Sequence, residues 1–167
     1  LNTGSQNTAY GSQALDSMTS AGDCTAIGFD ALTANTAASI TAVGSLSLNA
    51  NSTGIQNTAV GYNTLGTNTI GTSNTAIGYN TLALSTGNQN TAVGALALDT
   101  NNSASDNTAV GYNSLTANTT GTRNTALGSS TLMTVSIAND NTAVGYNALN
   151  LNTGSQNTAY GSQALDS

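Results

Sequence analysis

The sequence predicts an all-β protein, a parallel β-solenoid (β-roll) of 16–17-residue coils, and three observations predict it. A Thr-Ala-apolar-Gly motif recurs ten times, at steps of 16 or 17 residues. Four places of the repeat hold the same residue in every copy. The apolar residues show no helical spacing, and a helix pair needs roughly 33 residues or more per repeat. Stacking such units turns each invariant place into a column along the axis.

One unit reads NTAVGYNSLTANTTGTR (residues 107–123), and its places are numbered one to seventeen below. The coils start at residues 7, 24, 40, 57, 74, 90, 107, 124, 141 and 157. The columns are represented in one coil by Thr58, Ala59, Val60, Gly61 and Leu65 at places two, three, four, five and nine. Asn opens eight of the ten units, and place four is always large. All variation in length falls in the second half, as expected of a turn that bulges into solvent.

Within each coil, Thr-Ala-Val-Gly and the later Ala-Leu-x-x-Asn-Thr segment are expected to form two short strands joined by two turns. Alternation along the first strand places Thr and the large residue on one face, with Ala and Gly on the other. We expect the large residue and the Leu, such as Val60 and Leu65, to fill the inside of the coil. The Gly is expected to allow a positive φ or a tight corner. The Asn residues at place one are expected to hydrogen-bond along the axis as a ladder.

The sequence also predicts self-association. Two large apolar side chains per coil offset little of the conformational entropy lost by the ordered residues of that coil. We therefore expect several copies to pack together through the small Ala–Gly face. A homotrimer is the leading expectation, with a longer filament as the other form.

A second, longer period is present. The segment LNTGSQNTAYGSQALDS occupies residues 1–17 and recurs unchanged at residues 151–167. Neighbouring coils share only their skeleton, so identity after 150 residues indicates a super-repeat of nine coils. We interpret residues 1–167 as one continuous solenoid segment of a longer filament, in which 1–150 is one super-repeat and 151–167 begins the next.

The composition argues against most chemistry. Charged residues make up 5% of the chain, whereas about a quarter is usual. His is absent. The sequence therefore predicts no enzyme, with no catalytic, cofactor-binding or metal-ligating residues. A net charge of −6 argues against nucleic acid, because phosphate binding needs Lys and Arg. No apolar run approaches the roughly 18 residues of a membrane helix, so membrane embedding is not expected.

Two minor features have alternative interpretations. The Asp residues at coil ends and after the conserved Leu are interpreted as solvated acidic turns, and calcium bound between chains is the alternative. Those residues are Asp16, Asp23, Asp99, Asp106, Asp140 and Asp166. Cys24, in the place where Asn usually opens the unit, is interpreted as a tolerated substitution. The alternative is a reactive or cross-linking thiol.

Aromatic residues recur at place six. Tyr62, Tyr79, Tyr112 and Tyr146 share this place, as does Phe29. Because Tyr62 and Tyr79 lie in consecutive coils, their rings could stack, and aromatic platforms can bind sugars. The alternative is packing over the corner or at a subunit contact. Repeated Thr also raises ice binding, but a regular Thr-x-Thr column is missing and the Thr at place two is expected to face inward.

The end-to-end pattern Asn-Thr-Ala-Val-Gly-Tyr-Asn-x-Leu-x-x-Asn-Thr-x-Gly-x-x resembles tandem repeats in long fibre proteins of Bacteroidetes, phages and large viruses. The core Asn-Thr-Ala-Val-Gly is also similar to the Ser-Val-Ala-Ile-Gly repeat of YadA-type trimeric autotransporter heads. That resemblance implies a left-handed parallel β-roll with three chains around a common axis. The coils here are longer than the YadA-type repeat of about 14 residues, so the turn geometry of that family is not carried over.

The leading functional interpretation is a structural one. We expect a shaft segment of an extracellular fibre or filament, displayed on a cell or virion surface, without catalysis. The alternative is an adhesin or receptor-binding tail-fibre segment that recognises host-surface glycans through Tyr62, Tyr79, Tyr112 and Tyr146. An ice-binding solenoid is a minor alternative.

Overall fold

A computed structural model describes residues 3–166, which form one parallel β-solenoid of about nine turns. Each coil contributes one strand of three or four residues, and the strands pair in chain order in a single ten-stranded parallel sheet. The strands are β1 (Thr8–Tyr10), β2 (Cys24–Ile27), β3 (Ile40–Val43), β4 (Thr58–Val60), β5 (Thr75–Ile77), β6 (Thr91–Val93), β7 (Thr108–Val110), β8 (Thr125–Leu127), β9 (Thr142–Val144) and β10 (Thr158–Tyr160). The predicted all-β solenoid is confirmed. Residues 1, 2 and 167, which belong to the two identical segments, lie outside the described residues.

The register is the same from coil to coil. Thr58 pairs with Thr75 and Ala59 with Ala76, place against place. The backbone N–H of Gly61 donates to the Val43 carbonyl of the preceding coil at 2.7 Å. Coils of 16 and 17 residues keep this register alike, so the extra residue lies outside the strand. The predicted location of the length variation is therefore confirmed.

The second predicted strand does not form. The segment from place six onward consists of turns and bends, because the Leu at place nine has a left-handed φ of 47–56° in every coil. The residue at place seven is also left-handed, with φ between 49° and 61°. Backbone hydrogen bonds between coils continue without an extended strand: Leu65 N–H donates to the Thr81 carbonyl at 3.1 Å. The neighbouring coil thus supplies hydrogen-bond partners for backbone groups of this segment, as a paired strand would.

The two faces of the first strand are the reverse of the prediction. Ala59 is fully buried, as is every Ala at place three from coil two to coil nine. The large residue at place four points outward: Val60 is only partly buried and Ile77 is 41% exposed. The Leu at place nine is inside as predicted from the first coil to the ninth, and Leu65 is 0% exposed, whereas Leu165 of the last coil is exposed. Side chains alternate between the two faces of a strand. Because the Asn at place one is buried, the Ala at place three is buried with it, and the residues at places two and four face outward.

The Gly at place five lies where two coils meet most closely. Its φ is 126–144° in all ten coils, which confirms the predicted positive φ. A Cβ on Gly94 would lie 2.6 Å from the Gly111 carbonyl oxygen of the next coil, closer than van der Waals contact. The close backbone approach expected here is real, but it joins coils of one chain. The small residues are therefore used inside the solenoid and do not form a face for packing between chains.

Candidate functional surfaces

The Asn column at place one forms the predicted ladder inside the coil. The Asn90 Nδ2 group donates to Asn74 Oδ1 at 3.2 Å, and the Asn90 backbone N–H donates to the same oxygen at 2.9 Å. The Asn90 Nδ2 group also donates to the Ala104 carbonyl at 2.9 Å. Asn107 repeats the pattern on Asn90 Oδ1, from its backbone N–H at 3.1 Å and its Nδ2 at 3.3 Å. The amides of Asn90 and Asn107 therefore bond to backbone and side-chain groups of two coils, which gives this column a structural role.

A second Asn ladder, at place twelve, was not predicted. Asn51 donates to Asn35 Oδ1 at 2.9 Å and Asn68 donates to Asn51 Oδ1 at 2.9 Å. The signal was present as the recurring Asn-Thr, which was expected to end a second strand next to the solvent-facing turn. Val135 interrupts this column, and the buried Asn118 Oδ1 of the preceding coil has no hydrogen-bond partner in the described chain.

Cys24 lies inside the solenoid in the place of a ladder Asn. It is 1% exposed, and its backbone N–H donates to Asn7 Oδ1 at 3.0 Å. The thiol donates to the Ala37 carbonyl at 3.4 Å. In the same way, the Nδ2 group of the ladder residue Asn74 donates to the equivalent carbonyl of its own coil, that of Gly87. Burial raises the pKa of the Cys24 thiol above its ordinary value. These features fit a substitution tolerated within the ladder, since a reactive cysteine needs exposure and a lowered pKa.

The acidic residues lie in the turns, where Asp16, Asp23 and Asp106 are exposed and Asp99 is partly buried. Arg123 donates to Asp140 through Nε at 2.6 Å and through Nη2 at 3.0 Å, and both side chains are exposed. The hydrogen bond from Arg123 lowers the pKa of the Asp140 carboxyl, whereas burial raises the pKa of Asp99. Within residues 3–166, no three His, Cys, Asp or Glu side chains are close enough to hold a metal ion.

The aromatic column at place six is exposed. The rings of Tyr62 and Tyr79 stack with centroids 5.5 Å apart and planes 14° from parallel, which confirms the predicted stacking. Tyr62 is 46% exposed and Tyr79 is 54% exposed. Tyr112 and Tyr146 are exposed to a similar degree, but the coils on either side of each carry Ala or Ser at this place. The four tyrosines therefore give one stacked pair and two single rings.

The outward residues of the sheet form a continuous strip, which we call the Thr–apolar face. It consists of the side chains at places two and four of β1 to β10. Place two is Thr in every coil and faces outward, contrary to the prediction of an inward Thr. The residues at place four are Tyr10, Ile27, Val43, Val60, Ile77, Val93, Val110, Leu127, Val144 and Tyr160. Neither place carries a charged residue in any coil, so the face is uncharged along its whole length.

The remaining surface offers no concave site in the described part of the chain. Residues 3–166 form no pocket. Over the same residues there is no helix with the length and apolar character needed to cross a membrane. No family model, curated protein or solved structure matches the chain.

Proposed function

We propose that this chain is a structural segment of an extracellular fibre, a shaft whose coils supply length and stiffness and which has no catalytic role. The observation that carries the proposal is the unbroken register of β1 to β10. Because every coil meets the next through the same places, coils can be added without changing the contact between them. At a strand spacing of about 4.8 Å, nine steps along the axis extend the solenoid by roughly 43 Å.

The interior of the solenoid supports a role in which rigidity matters. Backbone groups bond each coil to its neighbours, and most coils add Asn amides from one or both of the two columns. Such amide ladders accompany highly stable cross-β assemblies. The chain has one Lys or Arg residue in all, so trypsin-like proteases find almost no cleavage site. These properties suit a filament exposed at a cell or virion surface, and the proposal includes association of copies side by side.

Immunogold microscopy of the cells or virions that carry the protein tests the proposal. An antibody raised against the whole chain should label filaments at many points along their length. Small-angle scattering of the purified chain should report a stiff rod. Label confined to the cell interior, or scattering from a flexible coil, would contradict a fibre role.

Glycan recognition is a second candidate, supported by the stacked and exposed Tyr62–Tyr79 pair. A two-ring surface can pack against the apolar face of a sugar, and its hydroxyls can donate hydrogen bonds. On a glycan array, saturable binding that is lost in the double variant Tyr62→Ala/Tyr79→Ala would favour an adhesin. Tyr112→Ala is the matched control, because it removes a single unstacked ring of similar exposure. Binding that is absent, or equally reduced in the control, would remove this candidate.

A further inference from the structure

The Thr–apolar face points to the way in which copies of the chain meet. We infer that this face is the interface between copies: a second copy of this chain packs its own Thr–apolar face against it, sheet to sheet. The inference rests on the proposed fibre function and deepens it, because it names the surface that joins the chains. It also replaces the small Ala–Gly face of the sequence prediction, which is used up inside the coil.

The first reason is that the face is apolar and uncovered. Ile77 is 41% exposed and Leu127 is 47% exposed, on strands whose other face is fully buried. The large residues recur once per coil over ten strands, so they form one strip and not isolated side chains. Within residues 3–166, the Thr hydroxyls at place two make no hydrogen bond, which leaves them free for a partner. Contiguous exposed apolar strips of this kind mark interaction surfaces.

The second reason is the axial repeat. Side chains at places two and four recur at every strand spacing of about 4.8 Å. A partner that contacts every coil must present groups at the same spacing, and another copy of this chain does so by construction. Two such sheets pack face to face at about 10 Å, with their outward side chains interdigitated. A globular partner would contact only a few coils and leave the rest of the strip exposed.

The third reason is the distribution of charge. The chain carries a net charge of −6, which opposes association of two copies in general. All seven Asp residues lie at places seven, ten and seventeen, outside the Thr–apolar face. Two copies can therefore meet through this face without desolvating a carboxylate, which would cost several kcal/mol if left unpaired.

The area sets the expected strength. A strip roughly 43 Å long and about 10 Å wide, the width of a three-residue strand, gives roughly 400 Å² per copy and 800–900 Å² for a pair. Stable complexes bury about 1,200–2,000 Å². The association of this chain should therefore depend on concentration, in the micromolar range and above. It should strengthen with each coil that a longer chain adds.

Sedimentation equilibrium of the full chain tests the inference. Wild type should pass from monomer to oligomer as its concentration rises through the micromolar range. The triple variant Val60→Asp/Val93→Asp/Val110→Asp should associate roughly a hundredfold more weakly or not at all, since each copy would bury three unpaired carboxylates. The matched control, Ile70→Asp/Leu84→Asp/Ile137→Asp, changes three exposed apolar residues outside the Thr–apolar face and should associate like wild type.

A second triple variant of the same face tests whether the Asp variant fails to associate only because it misfolds. Val60→Thr/Val93→Thr/Val110→Thr keeps the β-branched shape and high strand propensity, so its circular dichroism should match that of wild type while its association is weaker.

Each outcome decides one point. Wild type that stays monomeric at all concentrations would overturn the interface, while the fibre proposal would still be judged by rod shape and labelling. If both triple variants of the Thr–apolar face still form oligomers as wild type does, the choice of face is overturned, while self-association of the chain is confirmed. A monomer whose solutions show thermal hysteresis that the face variants abolish would overturn the inference in favour of an ice-binding face.

Discussion

Removal of one ladder amide, in the variant Asn90→Ala, should destabilise the solenoid locally and measurably. Asn90 is fully buried, and its Oδ1 accepts the backbone N–H of Asn107 at 3.1 Å. In the variant this N–H, buried between coils, would have no acceptor. The Ala104 carbonyl would lose the bond from Asn90, but would keep a 3.1 Å bond from Asn101 Nδ2. The orphaned donor is therefore the main loss.

The expected loss in the free energy of unfolding follows from this unpaired N–H donor. An unpaired buried donor costs about 1–3 kcal/mol, and the amide removed also leaves a small cavity, so we expect a loss of about 2–3 kcal/mol. Because solenoid coils can open locally, the clearest measurement is amide hydrogen exchange. The Asn107 amide should exchange roughly 30- to 150-fold faster than in wild type, since 1.4 kcal/mol corresponds to a factor of ten.

Asn102→Ala is the matched control, because it makes the same chemical change at an exposed residue. It should change stability by no more than about 0.5 kcal/mol, as is usual for surface substitutions. The role assigned to the ladder would be refuted if exchange at Asn107 were unchanged in Asn90→Ala, or if both variants behaved alike.

The other predictions concern the two strand faces, the thiol and the carboxyl groups. Leu82→Ala should lower the free energy of unfolding by about 2–5 kcal/mol, because a buried side chain leaves a cavity, whereas Val93→Ala at monomeric dilution should lower it by less than about 1 kcal/mol; equal losses in denaturant titrations would contradict the assigned faces. Cys24 should resist iodoacetamide in the native chain and react quickly once unfolded, and rapid native labelling would contradict its burial. In NMR titrations the midpoint of Asp140 should lie below its ordinary 3.8 and that of Asp99 above it. The Asp140 contribution to stability is then present above its unfolded pKa and is lost as pH falls through the folded pKa. The Asp99 effect has the opposite sign, because stability falls as pH rises from the unfolded pKa of Asp99 to its folded pKa. Midpoints in the reverse order would count against both assignments.

The spacing of the motif was enough to predict the solenoid, the register and the ladder at place one. A fixed step of 16 or 17 residues leaves stacked coils as the only regular arrangement, and identical places must then align. The stacking of Tyr62 on Tyr79 follows from the same alignment. The second ladder was missed because Asn is also a common turn residue, and nothing local distinguishes a buried amide from an exposed one. The second strand was wrong because a left-handed Leu is rare and contradicts its usual backbone preference.

By itself, the sequence determined the order of the strands, the coil length, the positive φ at the Gly of place five and the burial of Leu65. Alternation also determined that Thr58 and Val60 share one face of the strand, while Asn57 and Ala59 share the other. Only the tertiary structure decided which face is inside. The larger residue was expected there because it is more hydrophobic, but the amides at place one can be satisfied only by the coils above and below. Because the Leu fills the interior, the space left at place three holds only the methyl group of Ala, and the large apolar residues of place four lie on the outer surface.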